Sequence, residues 1–205
     1  MPHIRVEQNT EEWLALRLGK FTASAFKAIM GDKTKLTYRN EIYRVAYERI
    51  AGESPESFTN EWMQRGHELE SEARAAYEVK TGSFVEEGGF WTLGDYIGAS
   101  PDGLVGEDGL LEIKCPKYST HIQYLLDDEV PSQYKWQLQG QLLVTRKDFV
   151  DFVSYHPKLP LFIRKVGRDH DAIARLEDEL EEAIKKVDDV VRSIFLKTMQ
   201  SGGKL

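Results

Sequence analysis

Hydrophobic positions recur along the chain with two different periods, which predict a mixture of helices and strands. Spacings of three and four residues predict helices over 37–51, 60–81 and 169–198, and shorter ones over 11–18 and 22–30. Runs rich in β-branched and aromatic residues predict strands within 83–92 and over 96–99, 149–155 and 161–166. We therefore expect an α/β fold, in which helices flank a central mixed β-sheet and one long helix ends the chain.

A β-hairpin is predicted in the middle of the chain, where the turn-forming pair Asp108-Gly109 separates two apolar runs. In the second run the side chains alternate in polarity, so successive residues face opposite sides of a strand. Glu112 and Lys114 share one side, and the other side is apolar: Leu111, Ile113 and Cys115. The hairpin therefore has one charged face and one face suited to a core.

The polar turn Ser100–Gly103 lies just before this hairpin and brings a second carboxylate to the charged face. We expect Asp102 to lie at a strand end close to Glu112, with Lys114 beside them. Two neighbouring carboxylates repel unless a cation lies between them, and their hard oxygen ligands suit Mg²⁺ or Mn²⁺. The plain alternative is a surface hairpin with a Glu–Lys pair, which is common and contributes little to stability.

Composition and charge exclude few classes of function. The 205 residues are predicted to form one domain, residues 1–205. The formal net charge of −7 is not typical of a nucleic-acid-binding protein, so a basic surface would have to be local. Cys115 is the single cysteine and no apolar run reaches membrane-spanning length, which indicates a cytoplasmic protein that does not enter a membrane.

Several motifs, in the same order along the chain, resemble those of the phage lambda exonuclease family, the viral recombinase-type alkaline exonucleases of the PD-(D/E)xK superfamily. They are Leu16–Gly19 with Thr22–Ser24, Gly66–Arg74, Ser100–Gly103 with Leu111–Pro116, and Gln137–Gln139 with Val144–Lys147. The match extends from about Trp13 to the C-terminus, and the joint match is more specific than any one motif. It implies a restriction-endonuclease-like core and a Mg²⁺-dependent exonuclease that digests one strand of double-stranded DNA from the 5′ end.

The resemblance also implies a metal site. Asp102, Glu112 and Glu70 would hold Mg²⁺ together with the Ile113 carbonyl, and Mn²⁺ would substitute. Lys114 would generate or position the attacking water. Without the resemblance, Glu70 would be interpreted as a solvent-facing residue at the edge of a helical apolar stripe.

A second group of residues is assigned only through the resemblance. Arg17, Ser24 and Ser100 would bind the terminal 5′-phosphate, Gln137 would lie in the active site, and Met63 would act as a wedge at the end of the duplex. Their residue types alone indicate a solvated arginine, a helix-capping serine, a polar helix surface and a core methionine.

The family also suggests partners: DNA ends, two further copies in a toroidal homotrimer, and a single-strand annealing protein in phage recombination. The family thus also implies a phage- or prophage-encoded protein in the bacterial cytoplasm.

One alternative is an endonuclease of the same superfamily, which needs no terminal-phosphate pocket. Another is a non-catalytic DNA-binding protein or nuclease inhibitor with this fold. The complete set of Asp102, Glu112 and Lys114 favours an active enzyme.

Segment 117–130 departs most from the family pattern and is predicted to be irregular, with a helix beginning at Pro131.

Overall fold

The computed structural model describes residues 2–55 and 61–200, except for the side chains of residues 61–68. The strands are β1 (His3–Ile4), β2 (Phe21–Thr22), β3 (Val85–Glu87), β4 (Phe90–Leu93), β5 (Ile97–Ala99), β6 (Gly103–Val105), β7 (Gly109–Lys114), β8 (Phe149–Ser154) and β9 (Phe162–Gly167). The α-helices are α1 (Glu11–Arg17), α2 (Phe26–Ile29), α3 (Leu36–Ala51), α4 (Glu61–Thr81), α5 (Tyr118–Asp127), α6 (Lys135–Thr145) and α7 (His170–Gln200). Turns of 3₁₀ helix precede α2 (Ala23–Ala25) and α6 (Ser132–Tyr134).

The strands form two mixed sheets rather than the single sheet that the sequence predicts. The larger sheet has the order β3-β6-β7-β8-β9, with β7 and β8 parallel and the other pairs antiparallel. The smaller has the order β1-β4-β5-β2, with β2 and β5 parallel. Both are flanked by helices, and the long C-terminal helix α7 is present. The predicted mixed α/β fold is therefore confirmed.

Strand β7 lies at the centre of the larger sheet and is buried on both faces. Leu111 and Ile113 pack in one hydrophobic cluster with Ala73 and Tyr77 of α4. Leu110 belongs to the other, larger cluster, which includes α6 and α7. Because side chains alternate along a strand, Glu112 and Lys114 face the same side as Leu110, toward α6. The sheet thus points the predicted charged face into the protein and not toward solvent.

The prediction that segment 117–130 is irregular is wrong over most of its length, because α5 (Tyr118–Asp127) lies there. His121 anchors this helix: it is fully buried, with Nδ1 2.7 Å from Ser154 Oγ and Nε2 2.9 Å from the Pro160 carbonyl oxygen. Asp128 caps the C-terminal end of α5, and its backbone is left-handed with φ of 56°. The two hydrogen bonds of His121 are with residues distant in sequence, so local sequence patterns do not indicate this helix.

No helix in the described ranges has the length and apolar character needed to cross a membrane.

A buried hydrogen bond joins α4 to the central sheet and gives a stability prediction. The Tyr77 hydroxyl donates to Asp151 Oδ2 over 2.6 Å, and burial together with this carboxylate raises the pKa of Tyr77. Tyr77→Phe removes the donor and leaves a buried carboxylate oxygen without it, so we expect the free energy of unfolding to fall by roughly 1–3 kcal/mol. Urea unfolding measures the change.

The matched control is Tyr155→Phe, whose hydroxyl bonds to Glu72 at an exposed site over 3.1 Å. It should change the free energy of unfolding by less than about 0.5 kcal/mol. Equal losses in the two variants would show that the buried bond contributes nothing specific.

Candidate active site

Hairpin β6–β7 fixes the carboxylate of Asp102 against the neighbouring strand. The Asp102 backbone N–H donates to the Leu111 carbonyl over 3.0 Å, and the Ile113 N–H donates to Asp102 Oδ2 over 2.7 Å. Burial, followed by the charge of Glu112, raises the pKa of Asp102 well above its usual value. Asp102 and Glu112 are therefore close enough to repel, as the sequence analysis expects.

Glu112 is a buried carboxylate with three donors around it. Only 1 % of the residue is exposed. Its Oε1 accepts hydrogen bonds from the Lys114 ammonium and from Gln137 Nε2, the latter over 2.5 Å. Its Oε2 accepts from Gln141 Nε2 over 2.5 Å. A buried carboxylate is costly unless it is paired and hydrogen-bonded, and these three donors satisfy Glu112 inside the fold.

Lys114 is the cation of this cluster. Burial lowers the pKa of Lys114, but the carboxylates of Glu112 and Asp102 outweigh burial and raise it above the usual lysine value. The ammonium group also lies 5.5 Å from the centre of the Tyr134 ring. Lys114 is therefore positively charged at neutral pH, a state that suits it to orient water or stabilise negative charge rather than to accept a proton.

Helix α4 brings Glu70 to the edge of the same site through Arg74. Arg74 Nη2 donates to the Asp102 carbonyl over 2.7 Å and lies 3.9 Å from Glu70 Oε1, while Nη1 lies 3.2 Å from Glu87 Oε1. The charge of Glu70 adds to the upward shift in the pKa of Asp102. Both Glu70 and Arg74 line an open cleft of about 1160 Å³. Arg74 is a site residue that the sequence analysis does not single out.

The donor set fits a hard divalent cation. Among the described residues, no three His, Cys, Asp or Glu side chains are gathered into a single metal-binding group. Asp102 and Glu112 nevertheless supply only oxygen ligands, and the charge of Glu112 is, after burial, the next cause that raises the pKa of Asp102. A cation between them would relieve this repulsion, and Mg²⁺ needs only one or two protein carboxylates because it keeps several waters.

The three residues predicted to bind a terminal phosphate lie along one chain of contacts. The Arg17 guanidinium stacks 4.1 Å from the centre of the Trp13 ring, and Trp13 Nε1 donates to Ser100 Oγ over 2.7 Å. On its other side, Arg17 Nη2 donates to Thr22 Oγ1 over 3.3 Å, and that hydroxyl lies 3.3 Å from Ser24 Oγ. Trp13 and Thr22, to which sequence analysis gives no phosphate-binding role, are the connecting residues.

In the described part of the chain, no carboxylate pairs with the charge of Arg17. Burial, and then the nearby Arg44, lowers the pKa of Arg17 to about 10, so the guanidinium remains charged at neutral pH. Within residues 2–55 and 61–200, Arg17 forms no salt bridge. A half-buried cation without a carboxylate partner can accept an anionic ligand.

The secondary structure around Ser24 differs from the prediction. The predicted helix over 22–30 is instead a 3₁₀ turn (Ala23–Ala25) followed by the short α2, and the Thr22 side chain makes no capping hydrogen bond among the described residues. The anion site would therefore depend on side chains and not on a helix terminus. Met63 lies in α4, but its side chain falls outside the described part of the structure, so its predicted wedge role stays a prediction.

Two carboxylates and an ammonium group on adjacent strand ends of a mixed α/β fold, with an arginine and several hydroxyl groups next to them, are features of a nuclease that cleaves phosphodiesters. Comparison with known proteins agrees. The model of the YqaJ-like viral recombinase domain matches residues 12–148. The chain therefore belongs to the YqaJ-like viral recombinase family, which confirms the predicted family.

Solved structures give the same result. An alkaline exonuclease from Laribacter hongkongensis, LHK-Exo, is 37 % identical with a TM-score of 0.86, over 93 % of this chain and 99 % of that one. LHK-Exo in complex with dAMP matches with a TM-score of 0.87 at the same identity and coverage. A phage-related exonuclease from Haemophilus somnus 129PT shares the fold, at 18 % identity and a TM-score of 0.66, over 85 % of this chain and 96 % of that one. No curated protein sequence matches the chain. The protein is thus a DNA exonuclease of the recombinase type.

Proposed function

We propose that the protein is a Mg²⁺-dependent exonuclease that digests one strand of double-stranded DNA from its 5′ end, releases 5′-mononucleotides and leaves a 3′ overhang. The observation that carries this proposal is the turn from Ser100 to Asp102. Its first residue bonds to Trp13 in the Arg17 network, and its last faces Glu112 and supplies a carboxylate. A terminal phosphate held by Arg17 and the neighbouring hydroxyl groups would thus lie close to the carboxylates of Asp102 and Glu112.

Each residue of the charged cluster has a separate part in this reaction. Asp102, Glu112, Glu70 and the Ile113 carbonyl would hold Mg²⁺, for which Mn²⁺ would substitute. The metal, when bound, makes a bound water acidic and neutralises charge on the scissile phosphate. Lys114 would orient the attacking water and stabilise the negative charge that develops on the oxygens of the scissile phosphate.

Gln137 has a supporting part in the same cluster. Its amide N–H group donates to Glu112 and so orients that carboxylate. It lies at the partly buried N-terminal end of α6, where it would also be near the phosphate or the attacking water. The hydrogen bond to Glu112 supports the placement of Gln137 in the active site.

Selection of the 5′ end would rest on Arg17. A terminal phosphate monoester carries more negative charge than an internal diester and exposes three oxygens instead of two. A guanidinium fork with neighbouring Ser and Thr hydroxyls is suited to recognise this difference. The pocket would also draw the strand forward after each cleavage, so that the next phosphate reaches the metal.

Arg17→Ala tests this recognition. On 5′-phosphorylated linear duplex we expect initial nucleotide release to fall at least about tenfold, since a charge-assisted hydrogen bond contributes roughly 1.5–3 kcal/mol. On matched 5′-hydroxyl duplex the rate should change little, and Arg17→Lys should recover only part of the loss because it lacks the planar fork. An unchanged ratio of the two rates would show that Arg17 does not select the end.

A ring-shaped homotrimer is the assembly we propose. The net charge of −7 disfavours binding along an open surface, whereas a ring would retain DNA by enclosing it, with basic side chains confined to the channel. Sedimentation at micromolar concentration should give three times the monomer mass, and a monomer there would remove this explanation. In phage recombination the 3′ overhang would pass to a single-strand annealing protein.

Nuclease assays separate the proposal from its two alternatives. The protein should release nucleotides from linear duplex with Mg²⁺, and neither from closed circular duplex nor with EDTA present. Cleavage of the closed circle would instead indicate the endonuclease. Binding of linear duplex without release of nucleotides at any Mg²⁺ or Mn²⁺ concentration would indicate the non-catalytic DNA-binding protein.

A further inference from the structure

The two oxygens of the Glu112 carboxylate have different surroundings. Oε1 faces the partly exposed part of the site, where its donors are Lys114 and Gln137. Oε2 points to the interior, where Gln141, which is 1 % exposed, donates to it over 2.5 Å. Gln141 is therefore the residue that distinguishes one oxygen of this carboxylate from the other.

The position of Gln141 follows from helix α6. Gln137 and Gln141 are four residues apart, so they lie on one face of the helix, one turn from each other. Gly140 lies close against Phe26 of α2: a Cβ at this position would lie 2.1 Å from the Phe26 ring. A side chain there would force the Phe26 ring to shift, so Gly140 allows α6 to pack closely against α2. This close packing of α6 sets the position of the Gln141 side chain relative to Glu112.

Gln141 is poorly explained as a packing residue. Its amide must turn its NH₂ group toward Glu112, because a carboxylate can only accept. Its side-chain carbonyl oxygen is then buried, and it has no hydrogen-bond partner among the described residues. An unsatisfied buried acceptor costs folding free energy, and an apolar side chain of the same size would avoid that cost. The bond to Glu112 is the contact that an apolar side chain could not make.

We infer that Gln141 is a positioning residue, which anchors Oε2 of Glu112 so that Oε1 is the oxygen presented to the metal. This inference rests on the proposed function, since it assumes that Glu112 is a metal ligand. Donors that orient ligating carboxylates commonly change metal affinity or activity by 10- to 100-fold when they are removed. The loss of Gln141 should act through the metal and not through DNA binding.

Gln141→Met tests the inference with two measurements on the full chain. Binding of Mn²⁺ without DNA, measured by electron paramagnetic resonance, should weaken by roughly 10- to 100-fold. With Mn²⁺ at a fixed subsaturating concentration, kcat for nucleotide release should fall by a similar factor, while KM for duplex ends stays within about twofold of wild type. Excess Mn²⁺ should restore part of kcat, which a purely structural defect would not permit.

Gln139→Met is the matched control, because Gln139 is a buried glutamine on the same helix with no place in the site. Its Nε2 donates to the Gly167 carbonyl over 2.9 Å, and its Oε1 accepts from the Asp169 N–H over 2.8 Å. This variant should unfold at a lower urea concentration than wild type, yet keep the wild-type Mn²⁺ affinity and the wild-type kcat per folded molecule. The two substitutions thus separate stability from positioning.

If Gln141→Met does not fold, Gln141→Asn provides the same test, since its amide is one methylene too short to reach Oε2. If the folded Gln141 variant keeps the wild-type Mn²⁺ affinity and kcat, the inference about Gln141 is overturned, whereas the proposed function is not. If wild-type protein itself neither binds Mn²⁺ nor releases nucleotides, the proposed function fails and the inference fails with it. The wild-type measurement therefore reports on the function, and the ratio of variant to wild type reports on Gln141.

Discussion

Asp102→Asn is expected to reduce nucleotide release from linear duplex at least about 100-fold, a loss of roughly 2.7 kcal/mol or more of transition-state stabilisation. Asparagine keeps the shape of the side chain and an oxygen that can accept the Ile113 N–H, but it removes the charge that would hold the metal. Initial rates with saturating Mg²⁺ and 5′-phosphorylated duplex measure the effect.

The same substitution should leave the fold intact or stabilise it. Because the pKa of Asp102 is raised in the folded protein, its ionised form is disfavoured there, and this penalty grows as pH rises above the ordinary pKa of an aspartate. Asp102→Asn should therefore unfold at an equal or higher temperature than wild type at pH 7 without metal. Below the ordinary aspartate pKa, both side chains are neutral and the difference should vanish.

Asp108→Asn is the matched control for Asp102. Asp108 lies at the exposed far end of the same hairpin, where Asn-Gly forms a turn as readily as Asp-Gly. This variant should retain wild-type nucleotide release. Full activity in Asp102→Asn, or equal losses in the two variants, would contradict the assignment of Asp102 to the reacting site.

Lys114→Met should reduce kcat by roughly 10²–10³-fold, because it removes the positive charge that acts on the transition state. KM for DNA ends should change by less than about threefold. The variant should also unfold more easily, since Glu112, with 2 % of its side chain exposed, loses its ammonium partner. Single-turnover cleavage, corrected for the folded fraction, measures the chemical step directly.

Lys117→Met is the control for a general loss of positive charge, since Lys117 is exposed and lies three residues further on. It should leave kcat unchanged and weaken DNA binding slightly if at all. Should Lys114→Met weaken DNA binding while single-turnover cleavage persists, Lys114 would be a phosphate-backbone contact and not part of the reacting group.

The sequence predicts the hairpin that carries Glu112 and Lys114 because the signals for it are local. The alternation around Glu112 and Lys114 fixes which side chains share a face, and Asp108-Gly109 fixes the turn. The structure has that hairpin, with Asp102 beside Glu112. The cap of α1 is local too: Trp13 N–H donates to Thr10 Oγ1 over 3.2 Å.

Other features depend on contacts between distant segments, and no local pattern indicates them. Arg74 reaches Asp102 across 28 positions, and Gln141 reaches Glu112 across 29. Trp13 meets Ser100 across 87 positions. The side chains involved are ordinary arginine, glutamine and tryptophan residues on amphipathic helices, for which a surface or core position is the natural expectation.

End-labelled DNA tests the central claim most directly. A linear duplex with a labelled 5′-phosphate on one strand, and a second label at the 3′ end of that same strand, is incubated with the protein and Mg²⁺. We expect the 5′ label to appear first, as a mononucleotide, while the 3′ label stays in DNA until that strand is almost consumed. Early release of the 3′ label, or a 5′ label that appears only in longer oligonucleotides, would contradict digestion from the 5′ end.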